Sequence, residues 1–146
     1  MAGYSGTPLV QKLGIKPDAR VQFVNAPADF AATLGPLPTG AEQVGGAAKN
    51  LDLAVLFVTA RAELAERFAK LAARLAPAGM LWVAWPKKAS GVPTDLTENV
   101  VRDIGLAAGL VDVKVCAIDD TWSGLKFVVR LKDRPGRTGG VSRRVN

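Results

Sequence analysis

Two uninterrupted apolar runs constrain the fold of this chain more than any other feature. They cover Leu53–Val58 and Met80–Trp85. A strand that is apolar on both sides belongs in a sheet that is covered on both faces, as parallel sheets are. Between the two runs, Ala60–Leu75 carries Leu64 and Phe68 at helical spacing on one stripe. A strand, a helix and a strand in this order predict an α/β fold with right-handed crossovers.

The flanking segments extend this alternation on both sides. Upstream we predict two short helices and two strands, over Thr7–Leu13, Ala19–Val24, Ala28–Leu34 and Ala41–Val44 in the order helix, strand, helix, strand. Downstream, Asp95 and Glu98 form a candidate capping box for a helix that ends near Ala108.

The last part of the chain changes from helical to alternating periodicity. Four apolar residues alternate with other residues in the first run: Val111, Val113, Val115 and Ala117. A second alternating run covers Leu125–Leu131, and a short polar segment joins the two, which predicts a β-hairpin. Cys116 lies in the first run and is predicted to be a small core residue. We therefore predict an α/β fold with a mainly parallel Rossmann-like sheet, flanked by helices and ending in an antiparallel β-hairpin.

The composition excludes several kinds of catalytic site. The 146 residues include no histidine and a single cysteine, so Ser-His-Asp triads, Cys-His pairs, His-ligated metals and multi-thiolate metal sites are ruled out. We predict no metal site and no cofactor, and we assign no catalytic residue. No apolar run reaches the roughly 18 residues that a membrane helix needs. The N-terminal residues lack the features of a signal peptide, so we expect a cytoplasmic protein with no membrane partner.

The positive charge is concentrated at the end of the chain. The net charge is +6, and the residues from Lys132 onward contribute +4 of it. We predict a single domain over residues 1–133 and a basic, disordered tail over residues 134–146. Because the rest of the chain is close to neutral, a nucleic acid is expected to contact this protein only through that tail.

Candidate ligand-binding residues collect where the predicted strands end. In an open α/β sheet, ligands bind beyond the carboxyl ends of the strands. The residues predicted at this edge are Asn25, Arg61, Trp85, Lys87, Lys88, Ser90, Asp119, Asp120, Trp122 and Ser123. Lysines can pair with an anion, and indole rings can form the wall of a pocket. In the alternative interpretation, the tryptophans fill the end of the core and the charged residues form a solvated rim.

Several motifs resemble a bacterial family of small proteins of unknown function. The segments that carry the likeness are Trp82–Val92, Asp95–Asn99, Val111–Asp119 and Trp122–Phe127, together with Gly3–Leu9 and the turn Asn25–Pro27. The resemblance covers about residues 3–133 and implies a Rossmann-like domain with a methyltransferase-like fold in the cytoplasm. It implies no activity.

Methyltransferases of this fold hold their methyl donor with a Gly-rich loop after the first strand. Here that position reads Val24–Phe30, which contains no glycine and includes Pro27. Val44–Gly46 stands where an acid is expected at the end of the second strand. We favour a non-catalytic module that binds an anionic small molecule or a protein partner at the carboxyl edge of its sheet. The alternatives are a divergent S-adenosylmethionine-dependent methyltransferase and a nucleic-acid accessory protein that acts through its basic tail.

Overall fold

The computed structural model describes residues 7–130 and residue 133. Its strands are β1 (Arg20–Val24), β2 (Glu42–Gln43), β3 (Leu51–Phe57), β4 (Leu75–Pro86), β5 (Leu110–Ala117) and β6 (Trp122–Val129). Its helices are α1 (Leu9–Leu13), α2 (Phe30–Leu34), α3 (Arg61–Ala72) and α4 (Glu98–Ala107), with a 3₁₀ turn at Lys88–Ser90. Residues 3–6, the predicted strand end at Leu131 and the predicted tail over 134–146 lie outside the described residues.

The described strands form one sheet in the order β2-β1-β3-β4-β6-β5. Neighbouring strands from β2 to β4 are parallel, and β6 is antiparallel to both β4 and β5. The predicted α/β fold, with a mainly parallel sheet ending in an antiparallel hairpin, is confirmed. Because β5 runs in the same direction as β4, the carboxyl ends of the first five strands meet at one edge, where β6 begins. None of the described helices is long and apolar enough to cross a bilayer.

Two helices cover each face of the sheet, and β4 contributes to both cores. On the α3–α4 face, Val83 and Trp85 pack with residues of α3 and α4. On the α1–α2 face, Trp82 packs with residues of α1 and α2. The Trp82 indole Nε1–H donates a hydrogen bond to the carbonyl oxygen of Leu13 at 2.9 Å. This bond satisfies a buried donor and fixes the end of α1 on the sheet.

The helix predicted to reach Leu75 ends at Ala72, and Leu75 begins β4 instead. The pairing with β3 is irregular there, because Leu51 pairs with Leu75 whereas Leu53 pairs with Met80. A Cβ on Gly79 would lie 2.5 Å from the carbonyl oxygen of Leu51. Glycine therefore allows the close backbone approach at this bulge.

The capping box predicted at Asp95 and Glu98 is also wrong. Thr97 is the N-cap of α4, and its side-chain oxygen accepts a hydrogen bond from the Val100 backbone N–H at 3.2 Å. Asp95 instead accepts a hydrogen bond from the backbone N–H of Arg61 at 2.7 Å. It therefore stabilises the start of α3. A local sequence motif does not reveal such a contact between residues that are distant in sequence.

A β-bulge interrupts the alternation predicted for β5. Asp112 pairs with Phe127 and Lys114 with Lys126, so Val113 is an extra residue without a partner in β6. The bulge places Val111 and Val115 on opposite faces of the sheet, because it shifts the period of two by one residue. Val113 and Val115 are exposed by 56% and 47%. The alternating valines therefore do not share one buried face, as a regular strand would require.

Candidate functional site: a cavity at the carboxyl edge

A cavity of about 420 Å³ opens at the carboxyl edge of the sheet, on the α3–α4 face. We call it the Trp85 cavity. Its apolar part is formed by Trp85 and Pro86 at the end of β4 and by Leu96 ahead of α4, and all three residues are buried. A volume in this range can hold a small metabolite. The apolar part is suited to a planar or aliphatic portion of such a ligand.

Two lysines lie on the rim of the Trp85 cavity. Lys87 and Lys88 directly follow β4, and Ser123 near the start of β6 also lines the cavity. The backbone N–H of Lys87 donates to the carbonyl oxygen of Thr121 at 2.7 Å, which fixes the loop against the hairpin. Lys88 is exposed and Lys87 is partly buried. Two ammonium groups at this position can pair with an anionic group of a ligand.

The start of α4 supplies most of the remaining polar lining. Thr94, Thr97 and Glu98 all border the cavity. The carboxylate of Glu98 forms a salt bridge with Arg102, so the charge of Glu98 is already paired. The first backbone N–H groups of a helix also contribute partial positive charge at this end. The lining therefore has a positive balance of charge.

Four of the ten predicted ligand-binding residues line this cavity: Trp85, Lys87, Lys88 and Ser123. A fifth, Ser90, lies in the adjoining 3₁₀ turn. Its hydroxyl donates to the carbonyl oxygen of Lys87 at 2.6 Å and accepts from the backbone N–H of Val92 at 3.2 Å. In this arrangement Ser90 shapes the loop that presents the two lysines.

Asn25 and Arg61 do not line the Trp85 cavity; they lie near the ends of β1 and β3. The Asn25 side-chain amide donates to the carbonyl oxygen of Phe57 at 3.3 Å and to the Glu63 carboxylate at 3.1 Å. It thus bridges the ends of β1 and β3, between which the strand order reverses. This switch point is where an open α/β sheet ordinarily offers a ligand crevice.

The hairpin turn holds the last three predicted residues. Asp119 accepts hydrogen bonds from the backbone N–H groups of Thr121 and Trp122, both at 2.8 Å, which makes a tight turn. Asp120 is exposed. The Trp122 ring contacts Phe57 edge to face on the α1–α2 face, with 5.1 Å between the ring centroids.

Trp85 and Trp122 therefore lie on opposite faces of the sheet, and the two rings do not form one wall. The register explains this, because Trp122 pairs with Pro86, one position beyond Trp85. Adjacent positions of a strand point to opposite faces.

The sequence reasoning missed the contribution of the segment before α4 and of the first residue of that helix. Thr94, Leu96, Thr97 and Glu98 line the cavity, and none of them was among the predicted site residues. The available signal was topological: a helix that follows a strand begins on the side where that strand ends. Within the described residues, no group of three or more acidic or cysteine side chains is arranged to hold a metal ion.

Comparisons with solved structures identify the fold. No family model matches the chain, and neither does any curated protein sequence. A SAM-dependent methyltransferase from Aquifex aeolicus is similar in structure, with a TM-score of 0.62, 14% identity, and coverage of 84% of this chain and 88% of that one.

Two further structures have the same fold. The fibrillarin pre-rRNA processing protein of Methanococcus jannaschii gives a TM-score of 0.58 at 13% identity, over 84% of this chain and 69% of that one. A SAM-dependent O-methyltransferase from Thermotoga maritima gives 0.57 at 10% identity, over 84% and 63%. The chain therefore has the Rossmann-like fold of methyltransferases, and at these identities the likeness concerns the fold alone.

Proposed function

We propose that the protein binds an anionic small molecule in the Trp85 cavity. The observation that carries this proposal is the pairing of Lys87 and Lys88 with a buried apolar surface at one ligand-sized cavity. Such a site recognises a ligand with an anionic group and a planar or aliphatic body. Position at the carboxyl edge of an α/β sheet supports the same conclusion.

The pairing of the carboxylate that lines the cavity, and of one in the nearby hairpin turn, favours binding over proton transfer. Glu98 is paired with Arg102, and Asp119 accepts two backbone hydrogen bonds in the hairpin turn. A general base needs a carboxylate free to accept a proton from the substrate. We therefore infer a binding module rather than an acid–base enzyme.

A divergent S-adenosylmethionine-dependent methyltransferase is the second candidate. The likeness to solved methyltransferases supports it more than it supports the first candidate. The bridge from Asn25 to Phe57 and Glu63 speaks against a donor in the crevice between β1 and β3. Pro27, which has no backbone N–H, also follows β1, where backbone donors are needed to approach such a ligand.

A thermal-shift screen followed by calorimetry separates these candidates. The ligands are nucleotides, metabolite phosphates, S-adenosylmethionine and S-adenosylhomocysteine. A ligand present at 100 times its dissociation constant adds about 2.7 kcal/mol of stability. We expect a phosphate-bearing ligand to stabilise the protein and the two adenosyl compounds to have no effect. Stabilisation by the adenosyl compounds alone would support the second candidate and reject the first.

Matched variants locate the binding. Lys87→Gln/Lys88→Gln should abolish the stabilisation while leaving the melting temperature of the free protein nearly unchanged. Lys16→Gln/Lys49→Gln removes the same amount of charge from two exposed lysines elsewhere. This variant should retain the stabilisation by the ligand. Equal losses in both variants would assign the effect to net charge and reject a site in the Trp85 cavity.

A further inference from the structure

The α1–α2 face of the sheet carries a cluster of lysines over β5 and β6. Lys114 and Lys126 are direct cross-strand partners, and Cys116 lies two positions along β5 from Lys114. The Lys126 ammonium is 5.8 Å from the centroid of the Trp82 ring. Lys12 of α1 reaches the same surface, where its ammonium donates to the carbonyl oxygen of Ala117 at 3.1 Å. We call these four residues, Lys12, Lys114, Cys116 and Lys126, the lysine face.

Helix α4 packs against β5 and β6 from the opposite face. On the lysine face, Lys114 is exposed, and Cys116, Lys126 and Val128 are each partly exposed. The part of this sheet face that α1 does not cover therefore exposes both cationic and apolar side chains.

Among the described residues, no carboxylate forms a salt bridge with either of the two paired lysines. Like charges directly opposite each other on neighbouring strands are destabilising. Neither Lys114 nor Lys126 forms a salt bridge with a described residue, and each salt bridge among those residues involves α3 or α4. Burial lowers the pKa of Lys126, and the charge of Lys114 lowers it further. The arrangement costs stability that an anionic occupant would recover.

We propose that the lysine face docks an acidic, partly apolar segment of a partner protein. Carboxylates of that segment would pair with Lys114 and Lys126 and relieve their mutual repulsion. Its apolar side chains would cover Cys116 and Val128, which are partly exposed on either side of the lysine pair. The site lies on the opposite face of the sheet from the Trp85 cavity, so this proposal does not depend on the proposed function.

The positive charge of the lysine face favours an acidic partner segment over a second copy of this chain or one of its own segments. A second copy docking through the same face would place lysines against lysines. The chain from Lys132 onward has a net charge of +4, and residues 1–6 contain no carboxylate side chain. Neither of these two segments therefore complements the lysine face, whereas a partner segment rich in Asp or Glu does.

The single cysteine of the chain provides a local readout for the test. Cys116 of the full-length protein is labelled with a thiol reagent in the presence and absence of a short synthetic peptide of glutamate and leucine. We expect the peptide to slow labelling in a saturable manner. In Lys114→Gln/Lys126→Gln, the concentration for half-protection should rise by about tenfold, because two ion pairs are lost. Lys16→Gln/Lys49→Gln, which has the same net charge, should behave like the wild type.

Three outcomes overturn the proposal. The first is binding of a fluorescent form of the peptide with no change in Cys116 labelling, which places the peptide elsewhere, for example on the basic terminal segment. The second is equal protection by inorganic phosphate, which makes the occupant a small anion. The third is an equal loss of protection in both double variants.

A second variant keeps the test independent of folding. Lys114→Glu converts the repulsive pair with Lys126 into an attractive one, so it should raise the melting temperature while abolishing protection by the peptide. A Lys114→Glu variant that melts higher, but in which the peptide still protects Cys116 from labelling, contradicts the proposal.

Discussion

The side chain of Asp95 accepts a hydrogen bond from the backbone N–H of Arg61 at 2.7 Å, although 34 residues separate the two in sequence. Arg61 is the first residue of α3, whereas Asp95 lies just before α4. A carboxylate at this position satisfies an orphan N–H and complements the partial positive charge of the helix terminus. The contact also ties the segment that lines the Trp85 cavity to the neighbouring helix.

Replacing Asp95 with alanine should destabilise the protein by about 1 kcal/mol, because α3 loses its side-chain cap. Asp95→Asn keeps an acceptor oxygen and should cost less. Urea denaturation followed by circular dichroism measures both changes. An alanine variant with the wild-type midpoint would show that water replaces the carboxylate at no cost.

Gly105→Ala should destabilise the fold even though alanine favours helices. A Cβ at this position would lie 2.0 Å from Cε2 and 2.5 Å from Cζ of Phe127, whose side chain is fully buried. Phe68 packs edge to face against Phe127 with 5.1 Å between centroids, so a shift of the Phe127 ring would disturb this contact. Overpacking costs about 1–3 kcal/mol, and so close an overlap belongs in the upper part of this range, above the gain in helix propensity of about 1 kcal/mol.

Thermal denaturation of three variants tests this contact. Phe127→Leu alone leaves a void, whereas Phe127→Leu in the Gly105→Ala background gives the new methyl group space. We expect the double variant to be more stable than the sum of the single changes implies. Strict additivity would mean that the methyl group added at position 105 is accommodated without touching the ring.

The salt bridge between Arg102 and Asp112 predicts a pH-dependent contribution to stability. Arg102 Nε lies 2.9 Å from Asp112 Oδ2 and joins α4 to β5. The hydrogen bond from Arg102 holds the pKa of Asp112 below its ordinary value, and burial opposes this in part. A carboxylate with a lowered folded-state pKa stabilises the fold above its unfolded pKa of about 3.9. The contribution is lost as the pH falls through the folded-state pKa.

Asp112→Asn should therefore be less stable than the wild type at about pH 7, and the difference should shrink below about pH 4. Urea denaturation across this range measures it. Asp120→Asn, which removes an exposed carboxylate at the hairpin turn, is the control and should change stability little. If the difference in stability between Asp112→Asn and the wild type is the same at both ends of this pH range, the salt bridge does not make the pH-dependent contribution.

The strands and their succession along the chain could largely be predicted because burial leaves a local trace in the sequence. Leu53–Val58 and Met80–Trp85 are apolar on both sides, and the structure places them in the two central parallel strands of the sheet. Val113 could not be assigned in the same way. A bulge adds one residue without changing composition, so alternation alone does not reveal the change of face.

The candidate site was harder to predict because it depends on direction and long-range contacts. Lys87 and Ser123 lie at the same edge of the sheet because of its topology, and this placement was predicted from the sequence. The opposite orientation of Trp85 and Trp122 depends on a one-residue register between β4 and β6 that no local pattern reports. The role of Asp95 depends on a partner 34 residues away. Local motifs assign such a residue to the nearest helix, which here is the wrong one.

The opposite orientation of the two tryptophans distinguishes a ligand-binding role from a structural one. Trp85 is 6% exposed and lines the cavity, whereas Trp122 contacts Phe57 on the other face. Trp85→Phe should weaken binding of the ligand that emerges from the thermal-shift screen by about fivefold, because about 1 kcal/mol of the contact between the indole ring and the ligand is lost. Trp122→Phe should leave the affinity unchanged while lowering the melting temperature. Calorimetric titration of the two folded variants measures the difference, and equal affinities would place the ligand away from the Trp85 cavity.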